Sequence, residues 1–201
     1  MFTNDWFQIT AIRNFEKYVK DLTMWKGKDY NFLEIGCYEG QASVWLMENT
    51  KADLTVIDTF KGSKEHDAQF ESTLIDRFIE NTKKYEERII IMEGASQYLL
   101  KGQGKDYYDF IYVDGSHQAS DVLEDAILAF PLLKENGIMI FDDYTWGQGM
   151  DFYEIPRTGI DAFLLVYGNQ LEVLEKNSQI VIRKVKPWAM AAAMAAQDKT
   201  V

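Results

Sequence analysis

Short apolar runs alternate with longer amphipathic stretches along most of this chain. Five such runs occur, at residues 31–35, 54–57, 88–92, 110–113 and 138–141. They are apolar nearly throughout, whereas a strand with one exposed face alternates apolar and polar residues. Strands buried on both faces and separated by helices form a parallel sheet with helices on each side. The pattern therefore predicts an α/β fold, with helical stretches at about 41–48, 66–84, 97–100 and 119–133.

The pattern changes after the fifth run. A helical stretch at about 158–167 precedes two further runs, 171–175 and 179–183, and Asn177 and Ser178 lie near the join between them. So short a connection predicts an antiparallel hairpin. We therefore expect a mostly parallel sheet of about seven strands that finishes in a hairpin. A chain of 201 residues is long enough for one domain with a sizeable core.

Composition restricts the function classes. With 21 basic and 32 acidic residues the net charge is −11, so nucleic-acid binding is not predicted. Cys37 is the only cysteine, which excludes an intramolecular disulfide and the usual zinc-ligand spacings. No apolar run approaches the roughly 18 residues of a membrane span. Charged residues interrupt the N-terminal residues, which is not typical of a signal peptide. The default expectation is a soluble cytoplasmic protein.

The first apolar run leads into a glycine-rich turn, Glu34-Ile35-Gly36-Cys37-Tyr38-Glu39-Gly40, which opens a helix. Glycines permit a tight turn and let backbone amides approach a ligand at a helix N-terminus. The GxxxG spacing differs from the GxGxxG of dinucleotide-binding proteins, so a pyrophosphate cradle is the weaker interpretation. From the residues alone, the turn is either a ligand site or a purely structural strand-to-helix connection.

Two later loops occupy similar positions at the ends of strands. Asp58 ends the second strand, where an acidic side chain in an α/β sheet can bind both hydroxyls of a ribose. The alternative is a helix-capping aspartate. Glu93-Gly94-Ala95-Ser96 follows the third strand, and Ser96 is either a ligand contact or an ordinary N-cap residue.

Three aspartates end neighbouring strands. Asp114 closes the fourth strand, and Asp142 and Asp143 close the fifth. Ligands of open α/β sheets bind beyond the carboxyl ends of the strands, and adjacent strands lie about 4.8 Å apart. Converging ionised carboxylates repel one another unless a cation lies among them. Oxygen ligands favour Mg²⁺ above Mn²⁺ or Ca²⁺. The residues alone leave a metal site and a structural or capping role both open.

Together these motifs resemble a known family. The (E/D)xGxxxG turn resembles motif I of class I S-adenosylmethionine-dependent methyltransferases. Residues 110–117, FIYVDGSH, and 131–144, PLLKENGIMIFDDY, are similar to the macrocin-type O-methyltransferases that modify sugars of macrolide and aminocoumarin antibiotics, and to their relatives. The similarity covers about 32–144. It implies a Rossmann-like fold, S-adenosylmethionine as cofactor and a sugar-like small molecule as acceptor.

The resemblance assigns roles residue by residue. It implies that the cofactor is bound by Glu34, Gly36, Cys37, Tyr38, Gly40, Asp58, Ala95, Ser96 and Asp114. Asp58 would bind the ribose and the Ala95–Ser96 loop would flank the adenine, whereas Glu34 has either a cofactor role or a structural one. The resemblance also makes Asp114, Asp142 and Asp143 the ligands of a divalent metal, expected to be Mg²⁺, which coordinates vicinal hydroxyls of a sugar.

The implied chemistry is physically reasonable. A sugar hydroxyl is a poor nucleophile at neutral pH, and coordination to a metal lowers its pKa. The methyl donor is activated by its positive sulfur, so the enzyme mainly supplies alignment and a proton acceptor. His117 is the predicted base, because histidine needs only a small pKa shift to act near neutral pH. Asp114 is expected to share the proton. The alternative is that His117 caps the following helix or hydrogen-bonds a ligand aspartate.

The chain departs from the antibiotic enzymes in size. Most of their substrate-covering N-terminal region has no clear counterpart, and residues 1–28 are what is available as a helical cover. The methyltransferase domain is expected at 29–186, followed by an alanine-rich tail at 187–201. The aromatic N-terminus and this tail are compatible with a homo-oligomer. The loop 145–150 and the segment 151–157 form the expected substrate rim. Tyr144, Trp146, Phe152 and Tyr153 are expected either to stack on a sugar or aromatic face or to make core or oligomer contacts.

Two other functions stay open. Catechol-type O-methyltransferases also have a metal-binding aspartate after the fourth strand and an acidic pair after the fifth. Their pair is normally Asp-Asn, however, whereas this chain has Asp142-Asp143. The alternative from another class is a nucleotide-binding module without catalysis. The absence of GxGxxG from the first turn and the three aspartates count against it.

Overall fold

The computed structural model describes residues 2–20, 30–62 and 73–186. Its strands are β1 (Asn31–Ile35), β2 (Asp53–Asp58), β3 (Ile89–Glu93), β4 (Tyr108–Val113), β5 (Leu133–Phe141), β6 (Leu171–Lys176) and β7 (Ile180–Lys184). They form one sheet in the order β3-β2-β1-β4-β5-β7-β6. The first five strands pair in parallel, and β7 runs antiparallel to β5 and β6. The predicted mostly parallel sheet with a C-terminal hairpin is confirmed.

Helices cover both faces of this sheet. They are α1 (Ile12–Phe15), α2 (Gln41–Asn49), α3 (Leu74–Thr82), α4 (Ser96–Leu99), α5 (Ala119–Ala129) and α6 (Pro156–Tyr167). Two π-helical turns, Phe7–Ala11 and Glu16–Lys20, flank α1, so residues 7–20 form one helical N-terminal segment. This segment packs on one face with α2 and α3, while α4, α5 and α6 pack on the other. None of the described helices has the length and apolarity needed to cross a bilayer.

Alternate side chains of the central parallel strands pack into two separate cores, one on each face of the sheet. Phe32 contacts Phe110, and Phe110 contacts Phe15 in the core beneath the first helical layer. Their neighbours Leu33 and Ile111 point the other way, into the core of the second layer. Successive side chains of a strand point to opposite faces, so a strand covered on both sides must be apolar throughout. This is the physical reason for the continuous apolar runs of β1, β2, β4 and β5. The edge strand β3 differs from the prediction, because Ile90 and Ile91 are exposed.

The register of the parallel strands aligns their carboxyl ends. Ile35 pairs with Ile57 on one side and with Val113 on the other. The backbone ladder continues one step beyond the strands, because the amides of Gly36 and Asp114 donate to the carbonyls of Ile57 and Ile35 at 2.9 and 2.8 Å. The turns that follow these strands therefore lie side by side.

Helix α5 ends earlier than the sequence pattern predicts. The predicted helix reaches residue 133, but α5 ends at Ala129, and the 3₁₀ turn Phe130–Leu132 leads directly into β5. Pro131 accounts for the difference, because proline lacks the amide hydrogen that the next helical hydrogen bond requires. The helix predicted at 66–84 is described from Leu74 onward. Its beginning, with His66, and the tail at 187–201 lie outside the described residues.

Helices α5 and α6 approach each other most closely at Gly159. A Cβ added there would lie 2.3 Å from the carbonyl oxygen of Ala119 and 3.1 Å from the amide nitrogen of Leu123. Both neighbours are backbone atoms, which cannot move aside without shifting a helix. The absence of a side chain at Gly159 therefore sets the distance between the two helices.

We predict that Gly159→Ala destabilises the protein by roughly 2 kcal/mol, as overpacking of a core does. The matched control is Gly168→Ala, since Gly168 has right-handed helical backbone and, apart from its own chain neighbours, no described atom lies within 4 Å of its added Cβ. That control should be neutral or stabilising by up to about 1 kcal/mol. Urea unfolding of the three proteins measures both effects. Equal stability of the two variants would contradict the packing argument.

Candidate active site

The glycine turn joins β1 to α2 and packs against two other parts of the fold. At Gly36, where φ is +79°, a Cβ would lie 2.1 Å from the carbonyl oxygen of Asp114. At Gly40, where φ is +87°, a Cβ would lie 3.0 Å from the ring of Phe78. Both positions need glycine for their backbone conformation and for their packing. The turn thus lies directly against the strand end that carries Asp114.

Asp58 anchors this turn. Its Oδ2 accepts hydrogen bonds from the amides of Cys37 and Tyr38 at 2.8 and 3.0 Å, and its Oδ1 accepts the amide of Phe60 at 2.8 Å. A carboxylate has about four acceptor positions, so three backbone amides occupy most of them. The anchoring role was not predicted from the sequence, and the ribose contact stays a prediction.

Glu34 and Cys37 are buried beneath the turn. Glu34 is 1% exposed and accepts the hydroxyl of Ser43 at 2.5 Å. Burial raises the pKa of Glu34 to about 8 and raises the pKa of Cys37 well above its ordinary value. Because its carboxyl group is mostly neutral and bonded to Ser43 of α2, a structural role for Glu34 is favoured over a cofactor role. Protonation likewise leaves the Cys37 thiol unreactive.

The loop after β3 is tied to α5 through Asp125. Ala95 is the N-cap of α4 and Ser96 its first residue, so Ser96 is not an N-cap. Its hydroxyl donates to Asp125 Oδ1 at 2.5 Å. Asp125 is 4% exposed, and burial raises its pKa to about 6. Sequence analysis missed this residue, although an acid between Val122 and Ala126, on the apolar side of a predicted helix, was a usable signal.

Asp114 and Asp142 face one buried tyrosine hydroxyl. The hydroxyl of Tyr112 donates to Asp142 Oδ2 and lies 3.0 Å from Asp114 Oδ2. Burial, followed by the charges of neighbouring carboxylates, raises the pKa of Asp142 to about 6 and that of Asp114 well above its ordinary value. The repulsion predicted among these carboxylates is therefore present. Tyr112 was missed, although it lies two residues before Asp114 and so on the same side of the strand.

Asp143 interacts with His117. Its Oδ2 lies 2.9 Å from His117 Nε2. The backbone of Asp143 has a φ of +57°, a left-handed conformation that is uncommon and strained for a residue with a side chain. The ring centroid of Trp146 lies 4.1 Å from the centroid of the His117 imidazole. The turn before α5 is closed by Ser116, whose hydroxyl accepts the Gln118 amide at 3.1 Å. The arrangement thus matches a histidine bonded to an aspartate rather than a helix cap.

One cavity at the sheet edge brings the predicted chemical residues together. It is lined by Val113, Asp114, Gly115, Ser116, His117, Val122, Asp142, Asp143 and Pro156. Its carboxylate oxygens are the donors that a hard cation prefers. Within the described ranges, however, no three His, Cys, Asp or Glu side chains are gathered around one point. Asp143 faces His117, whereas Asp114 and Asp142 face Tyr112. The donor chemistry fits a cation, but the three carboxylates are not assembled as a ligand set.

The aromatic rim differs from the prediction. Tyr144 is 4% exposed and donates its hydroxyl to Asp161 at 2.9 Å, so it belongs to the core. Phe152 and Tyr153 are 70% and 54% exposed and contact each other edge to face. Trp146 is the rim residue that contacts His117. The ring of Tyr144 is therefore buried in the core, with its hydroxyl bonded to Asp161, and is not a stacking surface for a ligand.

The fold, the anchored glycine turn and the cavity at the carboxyl edge define a class I methyltransferase. The chain matches the family model described as a methyltransferase domain over residues 33–144, more than half of its length. The protein belongs to this family and is an S-adenosylmethionine-dependent methyltransferase. Family membership removes the alternative of a nucleotide-binding module without catalysis.

Solved structures share this fold at low sequence identity. A putative rRNA-methylase from Clostridium thermocellum has a TM-score of 0.66 and 14% identity, with 88% of this chain and 97% of that chain covered. The O-methyltransferase NovP has a TM-score of 0.65 and 15% identity, with 87% and 79% covered. The MycE methyltransferase of the mycinamycin biosynthetic pathway, in complex with Mg and SAH, has a TM-score of 0.57 and 13% identity, with 87% and 49% covered. A search of curated protein sequences found no match.

The raised pKa of Asp125 predicts a pH-dependent stability. A carboxyl whose pKa rises from 3.8 to about 6 on folding stabilises the fold below pH 4. This contribution is lost as the pH rises through about 6, because the buried group must ionise. Relative to Asp125→Asn, the wild type should lose up to about 3 kcal/mol between pH 4 and pH 7. Urea unfolding across this range measures the difference.

The matched control is Glu124→Gln, which removes an exposed acid from the same helix. Its stability relative to the wild type should vary much less with pH. An Asp125→Asn difference that is constant with pH would contradict the burial argument, because asparagine keeps the acceptor for Ser96 but cannot ionise.

Proposed function

We propose that this enzyme transfers the methyl group of S-adenosylmethionine to a hydroxyl oxygen of a sugar-like small molecule. The observation that carries the proposal is the His117–Asp143 pair in the wall of a cavity that Asp114 and Asp142 also line. A hydroxyl acceptor has a proton to lose, and this pair is suited to accept it. The sequence resemblance to macrocin-type enzymes and the structural likeness to the O-methyltransferase NovP support the same acceptor chemistry.

The cofactor is expected at the glycine turn, with its ribose at Asp58 and its adenine beside Ala95 and Ser96. The contact of Gly36 with the backbone of Asp114 supports this arrangement, since the turn and the acidic cavity adjoin. The anchoring of the turn by Asp58 also supports it, because a turn that is already fixed loses little further entropy when a ligand binds beside it. A methyl donor at the turn and an acceptor in the cavity would then be neighbours.

The reaction requires one displacement and one proton transfer. The acceptor oxygen forms a bond to the methyl carbon while the carbon–sulfur bond breaks, and its electron pair stays on sulfur in S-adenosylhomocysteine. His117 takes the hydroxyl proton, and the carboxylate of Asp143 stabilises the imidazolium that forms. Asp143 also fixes the orientation of the ring. The contact with Trp146 restricts the imidazole further and adds an apolar wall suited to a sugar face.

We further propose that a divalent cation, Mg²⁺ in the first instance, would be held by Asp114, Asp142 and Asp143, whose carboxylates would turn toward one another on binding it. The oxygen-only donor set and the mutual repulsion of Asp114 and Asp142 support this, and the MycE structure contains Mg. When bound, such a cation would lower the pKa of a coordinated hydroxyl. Of the three carboxylates, Asp143 has a second task, because it is bonded to His117.

Net charge supports a small molecule as the substrate. The chain carries −11 overall, and the cavity itself is lined by three aspartates. A polyanion such as nucleic acid would be repelled from this edge of the sheet. A neutral, hydroxyl-rich molecule meets no such barrier and offers hydrogen-bond donors to the carboxylates.

The role of His117 is tested by His117→Ala. We expect the rate of methyl transfer to deoxysugar acceptors to fall by about 10²- to 10⁴-fold, because the proton has lost its acceptor. Affinity for S-adenosylmethionine, measured by isothermal titration, should stay within about twofold. The matched control is Gln118→Ala, the exposed neighbour, which should retain the wild-type rate. An unchanged rate in His117→Ala at every pH would give His117 a structural role.

The role of the cation is tested separately. Excess EDTA should abolish methyl transfer and added Mg²⁺ should restore it, whereas Asp142→Asn should prevent the restoration. Binding of S-adenosylhomocysteine should persist in this variant, because the proposed cofactor contacts lie at the glycine turn. Full activity in excess EDTA would exclude a metal from the mechanism, but it would not contradict the proposed methyl transfer. Catechols are the comparison acceptors, and a preference for them would overturn the sugar assignment.

A further inference from the structure

A second polar cluster lies behind Asp142, where the N-terminal segment meets the β6–β7 hairpin. Asn14 and Gln179 are 1% and 0% exposed there. Burial of an amide is unfavourable unless its hydrogen bonds are replaced. Both residues lie outside the range 33–144 that matches the methyltransferase family, and the chemistry above uses neither. Their position next to the acidic cavity suggests a task connected with it.

The buried amides have a defined orientation. Asn14 Nδ2 donates to Gln179 Oε1 at 2.8 Å and to Asn177 Oδ1 at 3.1 Å, and Asn177 Nδ2 donates back to Asn14 Oδ1 at 3.3 Å. The carbonyl of Gln179 must therefore face Asn14, because a flipped amide would bring two NH₂ groups together. As a consequence, the Nε2 group of Gln179 points away from Asn14.

Gln179 lies beside Asp142. Phe141 pairs with Ile180 in the antiparallel register of β5 and β7, so Asp142, which follows Phe141, and Gln179, which precedes Ile180, are opposite each other. Opposite residues of an antiparallel pair have their side chains on the same face of the sheet. Yet Gln179 Nε2 is buried and makes no hydrogen bond of ordinary geometry within the described residues. A donor left in this state destabilises a fold. This is difficult to reconcile with a residue that merely fills the core, and it is consistent with a residue directed at Asp142.

The other contacts of Asp142 complete the arrangement. Phe15, which follows Asn14, contacts Tyr112 edge to face with ring centroids 4.9 Å apart. Tyr112 in turn donates to Asp142 Oδ2, and Asp142 Oδ1 accepts the amide of Asp143 at 2.7 Å. Two consecutive residues of the N-terminal segment therefore support the two side chains that act on the Asp142 carboxylate.

We propose that Asn14 and Gln179 are positioning residues for Asp142, so that the N-terminal segment supports the acidic cavity from behind. Asn14 orients the amide of Gln179, and this amide keeps the carboxylate of Asp142 directed into the cavity. The role given to Asp142 rests on the proposed function. The contact between Gln179 and Asp142 does not, and it can be tested by itself.

Two variants break this unit in different ways. Gln179→Met removes the amide at similar side-chain volume. Asn14→Asp keeps the shape of residue 14 but replaces its donor by an acceptor, which favours the flipped amide of Gln179. In both, kcat for methyl transfer should fall by roughly 10- to 100-fold, the usual effect of losing a partner behind a metal ligand. KM for S-adenosylmethionine should stay within about twofold.

The matched control is Lys17→Gln. Lys17 Nζ lies 2.7 Å from Glu175 Oε2, so it joins the same segment to the same hairpin, but it is 53% exposed and does not belong to the amide unit. This variant should keep the wild-type kcat. If Gln179→Met and Asn14→Asp are folded and also keep the wild-type kcat, the positioning role is wrong. Equal losses in all three variants would mean that docking of the segment, and not the amide pair, matters.

A measurement without substrate separates this proposal from the proposed function. The side-chain amide resonances of Gln179 can be assigned in ¹⁵N-labelled protein by their absence from Gln179→Met. They should shift in Asp142→Asn and stay in place in Lys17→Gln. A shift in Asp142→Asn supports the contact even if no sugar is methylated. Unmoved resonances would overturn the proposal even if sugar methylation is demonstrated.

Discussion

Strands β2, β1, β4 and β5 end side by side, because Ile35 pairs with Ile57 and Val113, and Val113 pairs with Phe141. Backbone hydrogen bonds then carry the register one step further, into the turns at Gly36 and Asp114. A Cβ at Gly36 would overlap the carbonyl of Asp114, so the glycine turn and the acidic strand end are in direct backbone contact. The proximity of the expected cofactor site and the cavity follows from this contact and not from any side chain.

Burial of acidic groups is unfavourable for the stability of this arrangement. Glu34, Asp114, Asp125 and Asp142 all have raised pKa values, and burial is the largest cause in each case. Each is paired with a hydroxyl group, and these pairs reduce the cost without removing it. Asp143 adds a strained backbone. Perturbed carboxylates and strain in one cavity are typical of catalytic sites, where function and not stability selects the residues.

The N-terminal segment has a larger part in this site than its description as a cover suggests. Residues 7–20 contribute Phe15 to the core against Tyr112 and Asn14 to the amide pair with Gln179. Thr3, which precedes this segment, contacts the glycine turn, because it donates its amide to the buried carboxylate of Glu39 at 2.7 Å. The N-terminal residues are therefore attached at both the turn, through Thr3, and the hairpin, through Asn14.

The sequence by itself determined the fold class and the residues at the strand ends. Continuous apolar runs, the glycine turn and the positions of Asp58, Asp114, Asp142 and Asp143 are local patterns, and local patterns are visible in one chain. Pro131 is also a local signal, and it predicts that α5 ends before residue 131. The partners of these residues were decided by the tertiary structure. Asp143 with His117, Asp142 with Tyr112, Ser96 with Asp125 and Asn14 with Gln179 are pairs that lie 26 to 165 residues apart. Such pairs form only when the sheet and its helices have assembled, because no local periodicity relates two residues so far apart along the chain.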